Sequence, residues 1–373
     1  MRIGVIPENP VEWAASALGY VPRPLLETIH PMFLARAIMA GVRLGVFEYL
    51  AVKGLRTPEE IAADLQLHGV AVGFLTRALE ARGYLRESDG RFGNTPLTER
   101  FLLRGSRHSV ADLVDFNYDQ WQIWSGIENT IRTGEQLDVY AMLAAGTPPG
   151  PDAPTALHRF HEYAREAGGP DVVLERSTRG LRDLARLQED ELYLRLWLPS
   201  SIRSLLDVAG GHGGYSVAFC RRYPELTATV IELSETVKIG RKIVEEEGLS
   251  DRVRFVEGDA TTIPLGGPHD VAFFFNLAHH LPEDENRAMF RRIAEVLRPG
   301  AAIVVMEMFG DLASADQFMV AAFGLYFQRT SGARTYTSRT IAGWLEATGY
   351  QRVWTSPLRS SGGISGIVVG RRG

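Results

Sequence analysis

The chain has 373 residues, room for two to three domains, and its 45% hydrophobic and 23% charged content is that of a globular protein with a large core. A net charge of −5 removes the electrostatic case for nucleic acid or an anionic membrane, and the one cysteine, Cys220, excludes an intramolecular disulfide and a cysteine-rich zinc site. The opening "MRIGVIPENP" lacks the layout of a secretion signal and no run approaches about 18 uninterrupted apolar residues, so a cytoplasmic protein without a membrane span is expected.

In chain order, the first third reads as helices. Residues 31–50 keep apolar residues at helical spacing. "TPEEIAADL" (57–65) starts with Thr57 as N-cap, Pro58 at the first helical position and acids in the first turn. "AVGFLTRALEARGYL" (71–85) is a third helix, and Asp89-Gly90 marks a hairpin turn. Three helices and a hairpin outline a winged helix. Its would-be recognition helix offers only Arg77 and Arg82 with Glu80 between them, so packing against protein is expected rather than DNA contact.

From Asp115 to about Leu198 the chain reads as helical, interrupted by "AAGTPPGPDAP" (144–154). The rhythm then changes. Runs at 203–209, 227–233, 252–258, 269–275 and 301–308 are short and mostly β-branched or aromatic, with helical stretches such as 284–297 between them. Strands of that kind alternating with helices predict a parallel sheet covered on both faces. "QRVWTSP" and "GISGIVVGRR" follow with no helix between them and are expected to pair antiparallel.

Open α/β sheets bind ligands at the carboxyl ends of their strands. Here those ends carry Asp207-Val208-Ala209-Gly210-Gly211-His212-Gly213, then Glu232, then Gly258-Asp259-Ala260, then Asn276 with His279-His280, and finally Glu307. A glycine turn alone is equally consistent with tight strand-to-helix packing. The nicotinamide fingerprint G-x-G-x-x-G is incomplete, because Ser216 stands in the third glycine's place. His212 reads as a spacer in the turn.

Taken together, "DVAGGHG" (207–213), "VIEL" with Glu232, "GD" (258–259), "HHLPEDE" (279–285) and "IVVME" (303–307) resemble the class I S-adenosylmethionine-dependent O-methyltransferases. With the winged-helix front end, the resemblance narrows to the plant caffeate and bacterial antibiotic-tailoring type, over nearly the whole chain. It implies a Rossmann-like seven-stranded α/β domain at 116–373, including a helical cleft segment at 116–198, preceded by an all-α winged-helix dimerisation domain at 1–115. It also implies S-adenosylmethionine as cofactor, held by Asp207, Ala209, Gly210, Gly211, Gly213, Glu232, Asp259, Ala260 and Asn276. His279 corresponds to the family's general base and Glu307 to the acid that orients it. Phe160, Tyr163, Met319 and Phe323 are candidate walls for an aromatic acceptor, although core filling explains them equally well.

The chemistry agrees with that assignment. Methyl transfer from a sulfonium leaves no leaving group to protonate, so activating a hydroxyl acceptor is the difficult part, and histidine can take its proton near neutral pH. Several alternatives stay open: His280 as the base, C- or N-methylation, non-methylating chemistry on the same fold, and a cofactor-sensing DNA-binding regulator. A two-histidine metal site is not expected, since sequence neighbours rarely point the same way. Three departures stand out: Ala209 for the triplet's first glycine, Leu281 for a tryptophan, and Ala333 where some members carry a second acid. A small-molecule substrate and a homodimer paired through the N-terminal domain complete the expectation.

Overall fold

The structure is a computed structural model that describes residues 9–312, 317–332, 334–360 and 365–373. The chain divides into two compact units, Met1–Tyr118 and Asp119–Gly373.

The first unit carries α1 (Pro10–Ala17), α2 (Arg23–Arg43), α3 (Val46–Lys53), α4 (Pro58–Asp64), α5 (Gly69–Glu80), the hairpin β1 (Leu85–Ser88) and β2 (Arg91–Asn94), then α6 (Pro96–Phe101) and the start of α7 (Ala111–Trp124). Thr57 caps α4 as expected, in a full capping box: its hydroxyl accepts from Glu60 N–H at 3.2 Å while Glu60 accepts from Thr57 N–H at 2.8 Å. Asp89 and Gly90 both take positive φ, 52° and 75°, the primed turn that matches strand twist. The helix expected over 31–50 is two helices. Gly45 adopts φ 72° and turns the chain between α2 and α3, so that Val46, Phe47 and Leu50 join a core with Ile61, Val72, Leu79 and Phe92. On α5, Val70 and Phe74 are exposed on the face that also carries Arg77, so a single cation stands among apolar side chains there. Among the described residues, α2 alone is long and apolar enough to cross a membrane, although Glu27, His30 and Arg36 interrupt its apolar run.

The second unit begins with the end of α7, then α8 (Ile127–Thr133), α9 (Val139–Ala145), α10 (Thr155–Glu166) and the long α11 (Pro170–Arg195). The alternating part follows: β3 (Ser204–Val208), α12 (Gly214–Arg222), β4 (Thr227–Glu232), α13 (Ser234–Glu246), β5 (Val253–Glu257), β6 (His269–Phe275), a 3₁₀ turn (Ala278–His280), α14 (Glu283–Val296), β7 (Leu297–Met308), α15 (Gln317–Ser331), α16 (Ser338–Ala347), β8 (Tyr350–Leu358) and β9 (Ser365–Arg372). Among the described residues, seven strands form one sheet in the order β5-β4-β3-β6-β7-β9-β8, parallel except for β9, which runs antiparallel to both β7 and β8.

Alternate strand residues point to opposite faces, and each face has its own core. Leu205, Val230, Phe273 and Val304 pack with Leu192, Val217 and Phe219 from α11 and α12. Their neighbours Leu206, Ile231, Phe274 and Val305 pack with Met289, Phe290, Ile293, Ile341 and Trp344 from α14 and α16. Helix α14 ends at Val296, just short of the expected 297, and β7 starts at once; Pro299-Gly300 is accommodated where the register with β6 shifts.

Candidate functional site

Strand β3 lies between β4 and β6, where the strand order reverses, and its carboxyl end is the crevice position of such sheets. Asp207 sits beneath the turn that follows, 1% exposed, and accepts from Ser216 Oγ at 2.7 Å. Burial pushes its carboxyl up to about 7, the serine bond opposing and the Glu232 charge adding. Gly210 lies directly over it: a Cβ there would come within 2.5 Å of the Asp207 carboxyl carbon. Ala209, Gly211 and Gly213 take φ values of 52°, 53° and 68°. For alanine that left-handed conformation costs about 1 kcal/mol, strain of the kind that functional sites retain.

His212 does more than space the turn. Its Nδ1 accepts from Gly214 N–H at 2.8 Å, satisfying a free donor at the start of α12. Burial, with Arg182 nearby, lowers its pKa to about 3, so the ring stays neutral and Nδ1 keeps its lone pair.

At the end of β4, Glu232 Oε2 accepts from Gly211 N–H and Oε1 from Leu233 N–H, both at 2.8 Å. Burial raises its pKa and these two bonds oppose the rise. Each oxygen has a second lone pair to offer. The Glu232 backbone carbonyl accepts from Gly258 N–H at 3.0 Å, tying the third strand end to the second. Asp259 is exposed and accepts from Thr261 N–H and Oγ1 at 2.8 and 2.7 Å, whereas Ala260 is buried. Asn276, exposed at the end of β6, is a second non-glycine residue in the left-handed region, at φ 52°.

His279 leaves β6 on the 3₁₀ turn, and Glu307 stands near the end of the adjacent β7. Both are buried, and His279 Nδ1 lies 2.8 Å from Glu307 Oε2. The second carboxylate oxygen accepts from His279 N–H at 3.4 Å. Phe327 of α15 stacks on the imidazole, centroids 4.3 Å apart and planes 13° apart. His280 is exposed beside it, with Ser331 Oγ at 3.4 Å from its Nδ1.

Of the expected cleft walls, Phe160 is 3% exposed in an apolar cluster with Ile123, Leu157 and Tyr326; Tyr163, Phe323 and Phe327 pack against that cluster. Tyr163 also donates to Asp119 Oδ1 at 2.5 Å. Met319 is half-buried on α15. Ala333 lies outside the described residues.

Sequence reasoning missed Gly240, Phe327 and the His212 side chain. A Cβ on Gly240 would meet the Phe255 ring at 2.5 Å and the Gly211 carbonyl at 3.0 Å, so this glycine lets α13 close on the turn. A lone glycine inside a helical run was the available signal. Phe327 gave none, because contact with His279 depends on how α15 returns to the strand ends.

Comparison with known proteins places the chain in a family. The O-methyltransferase domain family matches residues 166–351. A 3-hydroxy-5-methyl-1-naphthoate 3-O-methyltransferase of Streptomyces sahachiroi is 25% identical over 94% of this chain and 95% of its own length. An N,N-dimethyltransferase of Streptomyces rimosus is 28% identical over 78% of this chain and 80% of its own. The crystal structure of human N-acetylserotonin methyltransferase in complex with S-adenosylmethionine superposes with a TM-score of 0.76 at 18% identity, covering 94% of this chain and 97% of that one. The chain belongs to the O-methyltransferase family of S-adenosylmethionine-dependent methyltransferases.

Proposed function

We propose that the protein transfers a methyl group from S-adenosylmethionine to a hydroxyl of an aromatic small molecule in secondary metabolism, with His279 as general base and Glu307 as the acid that orients it. The observation that carries this reading is the 2.8 Å contact between His279 Nδ1, on the turn that follows β6, and Glu307 Oε2 of β7, with β6 adjacent to the strand that bears the glycine turn.

The residues around the turn fit the donor. Gly211 leaves open space where a side chain would stand, and Glu232 retains lone pairs for the two hydroxyls of a ribose. The Glu232 carboxylate, at the rim of the turn, suits a cation. On this reading residues 209–213 hold the methionine portion, with Asp207 supporting them from below. Asp259 and Ala260 line the adenine side, and Asn276 completes the rim. When bound, S-adenosylmethionine supplies a methyl carbon on positively charged sulfur, which departs neutral.

The remaining work falls to the chain's own side chains. A carboxylate has no hydrogen to give, so His279 Nδ1 carries the proton and Nε2 keeps the lone pair that accepts the hydroxyl proton. Glu307 stabilises the imidazolium so formed. Burial of both groups keeps water from competing, and the stacked Phe327 holds the plane of the ring. An aromatic acceptor is supported by Trp124, Phe323, Tyr326 and Phe327, whose rings lie 5.9 to 6.4 Å from one another in sequence of contact.

The Streptomyces rimosus relative supports a second reading, methylation of nitrogen by the same machinery. Incubation with methyl-labelled S-adenosylmethionine and a panel of phenolic and polyketide acceptors separates the two. Label in an O–CH₃ group is the expected result; label on nitrogen or carbon only, or none, contradicts the reading. We also propose that the N-terminal unit pairs two copies of the chain, because α1 buries none of its residues and Trp13, Tyr20, Leu25 and Phe33 are exposed together on α1, α2 and their link.

A further inference from the structure

The turn that carries His279 is fastened by a side chain four residues into the next helix. Asn286 of α14 is fully buried, and its Nδ2 faces three backbone carbonyls: Ala278 at 2.9 Å, Leu281 at 2.8 Å and Pro282 at 3.2 Å. An amide nitrogen has two hydrogens, so the two shorter contacts are the principal bonds. Three carbonyl oxygens around one atom also settle which end of the amide points there, since the opposite orientation would set oxygen against oxygen. The other end, Oδ1, is buried without a partner. The site thus tolerates an unsatisfied acceptor while using the donor fully.

We infer that Asn286 is a positioning residue for the reaction, holding residues 278–282 so that His279 meets Glu307. The two carbonyls it clamps bracket His279 and His280, one just before the pair and one just after. Two further contacts close the same turn from the other side: Arg334 N–H donates to the His279 carbonyl at 2.9 Å, and Tyr336 Oη to the Leu281 carbonyl at 2.8 Å. Both come from the "RTY" stretch next to Ala333, where a second acid was sought in the sequence. Its described residues restrain the base mechanically. With Asn286, Arg334 and Tyr336 all bonded to the turn, the imidazole is held against the carboxylate.

This inference rests on His279 being the base, but its test needs no acceptor. In protein labelled with ¹⁵N-histidine, the Nδ1–H of His279 bonded to Glu307 should give a low-field proton signal that His279→Gln removes. Asn286→Leu, which keeps the branched shape and loses the donor, should shift that signal or broaden it beyond detection. The amides of 278–281 should exchange at least about tenfold faster while the sheet strands keep their protection. If Asn286→Leu does not fold, Asn286→Asp, of equal size and without the amide hydrogens, is read in the same way. An unchanged signal and unchanged exchange in the turn would overturn the inference. So would protection lost evenly across β3–β7, which assigns Asn286 to general stability. Failure of the base assignment shows separately, in the turnover of His279→Ala.

Discussion

Asp207 is a carboxyl group held under a glycine turn, and its burial links the site to folding. Its ordinary value is 3.8 and burial moves it to about 7, so the folded chain holds a proton that the unfolded chain has released. The associated stability is fully present below about pH 4 and is lost as pH rises through about 7. Asparagine keeps an acceptor for Ser216 Oγ and cannot ionise. Melting curves of Asp207→Asn should therefore match those of the natural chain near pH 4 and lie above them near pH 8; parallel curves at all pH values would contradict the assignment. The sequence made Asp207 legible as part of the motif, but as a cofactor contact. That its carboxyl instead lies under Gly210 follows from the turn's backbone path, which residue types do not encode.

At the level of elements, α15 matters because it brings Phe327 to His279. Arg329, one turn-face away on the same helix, is 1% exposed and anchors it. Its guanidinium donates to the carbonyls of Ile123, Ser125 and Gly126 at 2.5, 2.9 and 3.1 Å and to Thr130 Oγ1 at 2.7 Å. The Ile123 and Ser125 carbonyls, at the end of α7 and in the link to α8, thus find a donor where the helix leaves them open. Arg329→Leu strips those carbonyls of their partner and should cost about 3 kcal/mol or more in urea unfolding. A loss within the error of the measurement would show that the carbonyls find other donors. The strands were readable because both faces of the sheet are covered, which makes runs such as "VAFFF" (271–275) continuously apolar. Gly45 does not read as a break because the apolar spacing of 31–50 continues through it. Asn286 and Arg329 were invisible for a different reason: a polar residue in a helical run reads as surface until its partners, eight and about two hundred residues away in sequence, are brought to it.

For the whole molecule, the exposed apolar residues of α1 and α2 are the feature a lone chain does not explain. Sedimentation at micromolar concentration should give a dimer, and Trp13→Glu with Phe33→Glu should shift it to monomer without altering the melting of the second unit. A natural chain that sediments as a monomer, or that floats with lipid vesicles through α2, would contradict the pairing.

The central claim is that a buried His279, oriented by Glu307, removes the proton from an acceptor hydroxyl. It is tested most directly by turnover of His279→Ala on whichever phenolic acceptor takes the label, alongside calorimetric titration with S-adenosylmethionine. The account predicts cofactor affinity within about twofold of the natural chain and turnover reduced by about 10²-fold or more, the scale of general-base catalysis. Full turnover with cofactor bound normally would contradict it.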